Sequence, residues 1–239
     1  IGLFGGTFNP IHYGHLRAAK EVCEGFDLEY LYFIPSALPP HKDIQEIASG
    51  VDRLEMTRLA ITGNPEFILS DVELKRPGLS YTIDTVKHFK DGLNAEVDLF
   101  LVMGADAFFE IDTWKSFKQL FRMLPTIIMT RPPLDGRHCN LDRKNMTAFI
   151  QEKISTSYQF STKDGCYGHH RHHPVYRFNI SMLDISGTKI RQQVQLGRSI
   201  RFLVTESVEN YIYERGIYTL KTWIACPLAK PSKPISMTF

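Results

Sequence analysis

Short runs of consecutive apolar residues alternate along the chain with longer stretches in which apolar positions recur every three or four residues. The first apolar run, Ile1 to Phe4, ends at Gly5-Gly6 and leads through Pro10 into helical spacing from about Tyr13 to Glu24. A second run, Tyr30 to Pro35, precedes helical spacing through Val51, Leu54, Leu59 and Ala60. Phe67 to Val72 then reads as a strand, Thr82 to Lys90 as a helix, Val97 to Met103 as a strand, Trp114 to Met123 as a helix and Thr126 to Thr130 as a strand. Such alternation predicts an α/β fold with a parallel, doubly wound sheet. Sheets of that kind bind ligands beyond the carboxyl ends of their strands, where the strand order reverses. Asn145 to Ile154 again has helical spacing, whereas residues 155–174 are polar, weakly patterned and read as an excursion on the fold. Val175 to Leu183 is the last predicted strand, followed by a small C-terminal helical part at Gly187 to Leu196 and Glu206 to Arg215. Residues 221–239 hold three Lys, three Pro and no acid, and are expected to form an irregular basic tail beyond one domain spanning 1–220.

Composition leaves this picture intact and removes several function classes. Of 239 residues, 43% are hydrophobic and 23% charged, enough apolar material for a sizeable core. A net charge of +2 gives no electrostatic case for a nucleic acid or membrane partner. Cys23, Cys139, Cys166 and Cys226 never form a CxxC pair, so idle thiols are expected rather than a zinc ribbon, a redox site or disulfides. Neither a leader pattern nor an apolar run of about 18 residues occurs, which points to the cytosol. The chain starts at Ile1, inside a strand and without Met, which implies a residue or two upstream.

The densest chemistry is Gly5-Gly6-Thr7-Phe8-Asn9-Pro10-Ile11-His12-Tyr13-Gly14-His15, between the first strand and the first helix. Gly5 and Gly6 permit backbone conformations and close ligand approach that a Cβ would block. The helix start offers unpaired N–H groups and the positive end of a dipole to phosphate. His12 and His15, three apart, fall on one face of the first turn, with Gly14 leaving the space beside them open, so both imidazoles can donate to one phosphate. An isolated His pair is ordinarily a surface or capping feature; the glycine pair and the leading strand give this one its phosphate-handling sense. For nucleotidyl transfer the nucleophile is an already ionised phosphate, so positioning and charge stabilisation carry the reaction.

This HxGH pattern resembles the HxGH nucleotidyltransferase superfamily, which includes pantetheine-phosphate adenylyltransferases, cytidylyltransferases and, more distantly, class I aminoacyl-tRNA synthetases. Pro39-Pro40-His41-Lys42, Arg53 with Met56, Ser80 to Thr85, Gly104-Ala105-Asp106, Trp114, Arg131-Pro132 and Ile185 to Arg191 are similar, in order, to the nicotinate-nucleotide adenylyltransferase family over about residues 1 to 220. The resemblance implies a Rossmann-like nucleotidyltransferase fold with ATP and nicotinate mononucleotide as substrates. It implies that His12, His15, Lys42 and Arg191 are catalytic, and that Gly5, Gly6, Thr7, Phe8, His15, Gly104, Asp106, Ile185, Ser186, Thr188 and Arg191 hold ATP. Thr82, Trp114 and Arg131 would hold the mononucleotide. Mg2+ would accompany ATP, with no metal site of the protein's own. Two positions depart from the family pattern: Asn9, where Asp is frequent, and Gly187, where Ser is usual.

Other readings are open at this stage. Trp114 is also a plausible core residue and Asp106 a helix cap. His169-His170-Arg171-His172-His173 invites a metal reading, but a polar surface loop explains it without a ligand. A pantetheine-phosphate adenylyltransferase is the nearest rival, although such chains are usually shorter. An RNA-binding relative of the synthetases and a silent nucleotide sensor are the alternatives from other classes.

Overall fold

The computed structural model describes residues 1–37, 47–94, 96–130 and 143–219. Its strands are β1 (Gly2–Gly6), β2 (Leu31–Pro35), β3 (Phe67–Leu69), β4 (Phe100–Gly104), β5 (Thr126–Thr130), β6 (Gln159–Ser161), β7 (Cys166–Gly168) and β8 (Val175–Asn179). They form one sheet in the order β3-β2-β1-β4-β5-β8-β7-β6. From β3 to β8 every neighbouring pair is parallel, whereas β8 with β7 and β7 with β6 are antiparallel. The chain builds outward from β1 through β2 to β3, then returns to the far side of β1 for β4. The strand order therefore reverses between β1 and β4, and their carboxyl ends are where a ligand crevice is expected.

Alternation within the strands explains why both faces are covered. Phe4, Phe33, Val102, Ile127 and Met129 point into one buried cluster, while Leu3, Ile34, Leu101, Met103 and Ile128 point into another. A strand apolar on both sides needs helices on both sides. On the first face lie α1 (Tyr13–Phe26), α2 (Gly50–Ile61), α8 (Gly187–Gln195) and α9 (Glu206–Glu214), contributing Ala18, Val22, Met56, Ala60, Ile190, Val194, Val208 and Ile212. On the second lie α4 (Thr82–Gly92), α5 (Ala105–Phe109), α6 (Phe117–Met123) and α7 (Arg143–Phe149), contributing Ile83, Val86, Phe108, Leu120 and Met146. A four-residue helix, α3 (Val72–Lys75), follows β3. No helix of the described residues is long and apolar enough to cross a membrane.

Several boundaries differ from the sequence expectation, each for a local reason. β3 ends at Leu69, because the Ser70 hydroxyl accepts the N–H of Val72 and turns the chain into α3. Trp114 does not start a helix; it caps a 3-10 turn at Ile111–Thr113, and Ser116, with φ of 54°, breaks the chain before α6. Beyond α7 the backbone continues as a π-helical turn over Ile150–Ile154. The excursion at 155–174 contains β6 and β7, a hairpin that extends the main sheet, with Tyr158 and Tyr167 fully buried. The last parallel strand is Val175–Asn179, shorter than the apolar run to Leu183. The tail at 221–239, with Cys226, and Cys139 lie outside the described residues, while Cys23 and Cys166 are free and buried.

Candidate active site

A cavity of about 530 Å3 opens at the strand-order reversal. Gly5, Gly6 and Thr7 from the end of β1 and Met103 and Gly104 from β4 form one side, and Tyr81, Thr82 and Thr85 at the start of α4 form another. Trp114 contributes to the rim, and its remaining surface packs on the buried cluster around α4 to α6. Trp114 thus belongs in part to the core and in part to the cavity wall. The floor is apolar, made by Leu3, Ile34, Leu101, Val102 and Val86. Its volume is in the range of small-molecule sites.

Next to this cavity, two helix starts converge on the segment 7–12. Gly5 and Gly6 are ordinary strand residues paired with Ile34 and Pro35; neither takes the left-handed conformation. The conformationally special residue is Phe8, with φ of 45°. Its ring is held against Phe4, Phe33 and His15 at centroid distances of 5.5, 5.7 and 5.2 Å, packing that fixes a conformation rare for a large side chain. Gly6 is required for that packing, since a Cβ there would stand 2.9 Å from the Phe8 ring. Phe8 is buried, so any ligand would meet its backbone rather than its ring.

His12 is the N-cap of α1 and is buried; His15, one turn on, is partly exposed. Their rings stack with centroids 3.7 Å apart. The N–H of His12 donates to Nδ1 of His15 at 3.3 Å, so a neutral His15 carries its proton on Nε2, as a donor. Gly14 makes the stack possible: a Cβ would lie 3.0 Å from Nδ1 of His12. The Ile185 carbonyl is 3.8 Å from the same position, which puts the start of α8 against the first turn of α1. Ser186 caps α8, its hydroxyl accepting the N–H of Lys189 at 3.2 Å. Arg191, one turn further, donates through Nη1 to the Asn9 carbonyl at 3.0 Å and through Nη2 to the Thr188 hydroxyl at 3.4 Å.

Asn9 is the junction of the site. Its Oδ1 accepts from the N–H of Ala48 at 3.1 Å and from the Tyr218 hydroxyl at 2.7 Å. Accepting is a role Asn and Asp share, so this departure keeps the structural half of the usual residue. Burial pushes the Tyr218 phenol up, which keeps it a donor. Beneath the segment, Arg53 is 1% exposed and donates to the carbonyls of Ala48, Thr7 and Ala37 at 3.0, 2.8 and 3.1 Å. Burial pushes that guanidinium down from its ordinary value, with Tyr218 and Glu73 opposing. Three loop segments are thus tied to one buried cation.

Of the residues expected from sequence, Gly5, Gly6, Thr7, Thr82, Gly104 and Trp114 line the cavity, and Phe8, His12, His15, Ile185, Ser186, Thr188 and Arg191 form the adjoining junction. Asp106 is exposed on the first turn of α5 and does not line the cavity. Lys42 and Arg131 lie outside the described residues. Three of the imidazoles at 169–173 stack on one another: the His169 ring lies against His170 and His172 and is hydrogen-bonded to Ser155, and Arg122 donates to His172 at 3.3 Å. Among the described residues no group of three or more His, Cys, Asp or Glu is arranged to hold a metal ion. Sequence reasoning missed Glu73 and Tyr218. Tyr218 meets Asn9 across 209 residues, a pairing no spacing could show.

Known proteins resemble this chain in sequence and in fold. A family described as cytidylyltransferase-like matches residues 3–193. Probable nicotinate-nucleotide adenylyltransferases of Citrifermentans bemidjiense and Geotalea uraniireducens are 38% and 39% identical to the chain over 218 residues, which cover 91% of this chain and 97% of each of those proteins. The structure of Plasmodium falciparum nicotinic acid mononucleotide adenylyltransferase complexed with NaAD has the same fold, with a TM-score of 0.68 at 18% identity over 91% of this chain and 96% of that one. Identity at this level, sustained over nine-tenths of the sequence and carried on a doubly wound sheet, shows that the chain belongs to the nicotinate-nucleotide adenylyltransferase family, within the cytidylyltransferase-like proteins.

Proposed function

We propose that the chain joins ATP and nicotinate mononucleotide to give nicotinate adenine dinucleotide and pyrophosphate, a step of NAD biosynthesis. The observation that carries this reading is the convergence of the α1 and α8 starts, with the His12–His15 stack between them, beside a mononucleotide-sized cavity at the strand reversal. An oxygen of the mononucleotide phosphate attacks the α-phosphorus of ATP; the bond from that phosphorus to the bridging oxygen breaks, and its electron pair leaves with pyrophosphate. No proton need be removed from the nucleophile, so the protein's task is to align the phosphates and stabilise charge.

On this reading Nε2–H of His15, His12 and the backbone of Gly6, Thr7 and Phe8 meet the reacting phosphates, with Lys42 adding charge. The N–H groups at the start of α8, from Ile185 and Ser186 to Thr188, and Arg191 hold the β- and γ-phosphates. Asp106 and Gly104 serve the ATP ribose. Trp114 stacks on the pyridine ring, Thr82 meets its carboxylate at the start of α4, and Arg131 completes the pocket. The side chains turned toward the junction are neutral or cationic, which suits magnesium that arrives bound to the phosphates and offsets their charge. Residues 1–220 form the catalytic unit.

The test is kcat/KM for the acid mononucleotide against its carboxamide counterpart, with pyrophosphate release as readout. Donors at the α4 start satisfy a carboxylate oxygen but face the NH2 of an amide, which leaves groups unpaired. A preference for the acid of two to three decades, about 3 to 4 kcal/mol, is expected. Equal values would overturn the acid assignment, and no turnover with either would overturn the reaction.

A further inference from the structure

The cavity floor holds one group that its apolar lining does not explain. Glu73, on α3, is 7% exposed and lines the cavity among Leu3, Ile34, Leu101 and Val86. One carboxylate oxygen accepts from the Thr85 hydroxyl at 2.6 Å, and that hydroxyl accepts in turn from Nη2 of Arg76 at 2.9 Å. The other oxygen, Oε2, meets no donor among the described residues and stays accessible from the cavity. A carboxylate at an apolar floor with half of its acceptor capacity unused is costly unless something in the cavity answers it. Arg76 reaches it only through Thr85, Arg53 only at longer range, and Lys115, which also lines the cavity, is paired with Asp84 at 3.1 Å.

Resting on the mononucleotide reading of the cavity, we propose that Glu73 is a substrate-recognition residue whose carboxylate faces the positively charged N-ribosyl pyridinium ring. The bound ring is a zwitterion, with an anionic carboxylate on one ring carbon and a quaternary nitrogen meta to it. The site has the complementary order of charge along α4. Thr82, at the helix start, offers N–H groups and a positive dipole end; Thr85, three residues on, holds the negative Glu73. Three residues of helix rise by about 4.5 Å, comparable with the width of a six-membered ring. The Arg76–Thr85–Glu73 chain fixes the carboxylate in place before the ligand arrives, so little ordering remains to be done on binding. A ring without the positive charge would leave the carboxylate unanswered, and a ligand with a negative ring substituent near it would be repelled.

Glu73→Gln tests the assignment, because the amide keeps an acceptor for Thr85 and loses only the charge. KM for nicotinate mononucleotide is expected to rise about ten- to thirtyfold, the scale of one charge contact in a partly desolvated site, with KM for ATP and thermal stability nearly unchanged. Binding of an isosteric mononucleotide with a neutral benzoate ring, followed by Trp114 fluorescence, should be equally weak in wild type and variant. Glu73→Met, of similar length and uncharged, serves in place of the amide should that variant not fold. A mononucleotide KM within twofold of wild type in the charge-removing variant, or an equal loss for cationic and neutral rings, would overturn the proposal and leave Glu73 as a support for Thr85. Wild-type protein that turns over no pyridine mononucleotide would instead strike the reading on which it rests.

Discussion

Gly187→Ser restores the residue usual in the family, yet it should harm this protein. A Cβ at 187 would stand 2.7 Å from the main-chain oxygen of Asn9 and 3.3 Å from its carbonyl carbon. Ordinary contact begins near 3.4 Å, so the two segments must part by about 0.7 Å. Asn9 cannot simply retreat, because Ala48, Tyr218 and Arg191 all donate to it. Overpacking of this kind costs about 1 to 3 kcal/mol. In a domain of this size that lowers Tm by roughly 2 to 12 °C. The displaced element is the first turn of α8, assigned to the β- and γ-phosphates, and misplacement of about 1 Å can cost a hundredfold. A drop of about tenfold in kcat/KM for ATP is therefore expected. Adding Asn9→Asp should not relieve it, since the clash is with the main chain. Melting curves and initial rates for the two single variants and the double variant decide the matter. A Gly187→Ser protein with wild-type Tm and wild-type kcat/KM for ATP would refute the reasoning, as would full rescue by Asn9→Asp.

Three further outcomes follow from the same geometry. His15→Ala should lower kcat by about two to three decades, the scale of one lost transition-state donor, with smaller changes in substrate affinity; near-normal turnover would return His15 to a capping role. Desolvation first, and then neighbouring positive charge, hold the His169 and His172 imidazoles below the ordinary value of 6.5. The unfolded chain then binds protons that the folded chain resists, so stability present above about pH 6.5 is lost on acidification, and His172→Gln should flatten the fall of Tm between about pH 7 and 5; an unchanged slope would contradict this. Removal of residues 222–239 should leave turnover within about twofold, because the family resemblance ends before them; a large loss with folding intact would assign the tail to the site.

How much of this was legible in the sequence depended on how local the signal was. Strands β1, β2, β4 and β5 are largely buried, so each announces itself as an apolar run. The hairpin β6–β7 does not, because it lies at the sheet edge and its apolar residues Phe160, Cys166 and Tyr167 sit among polar neighbours. The HxGH segment was readable because its glycines, its imidazoles and the helix start fall within eleven residues. Gly5-Gly6 suggested a turn, yet the turn is made by Phe8, whose left-handed backbone is held by rings from β1, β2 and α1. Glu73 falls just past the run Phe67 to Val72 that reads as a strand, and the reason for its burial exists only once Thr85 and Arg76 are brought to it. Gly187 and Asn9, two separate departures in the sequence, turn out to touch.

The central claim is transfer of an adenylyl group onto a mononucleotide phosphate, and isotopic labelling of ATP tests it most directly. With purified protein, magnesium and nicotinate mononucleotide, label at the α-phosphorus should appear in nicotinate adenine dinucleotide, and label at the γ-phosphorus should appear in pyrophosphate. Both should depend on the mononucleotide and fall by the same factor in His15→Ala. Label from the γ-position in the nucleotide product, or release of label that proceeds equally well without the mononucleotide, would contradict the account.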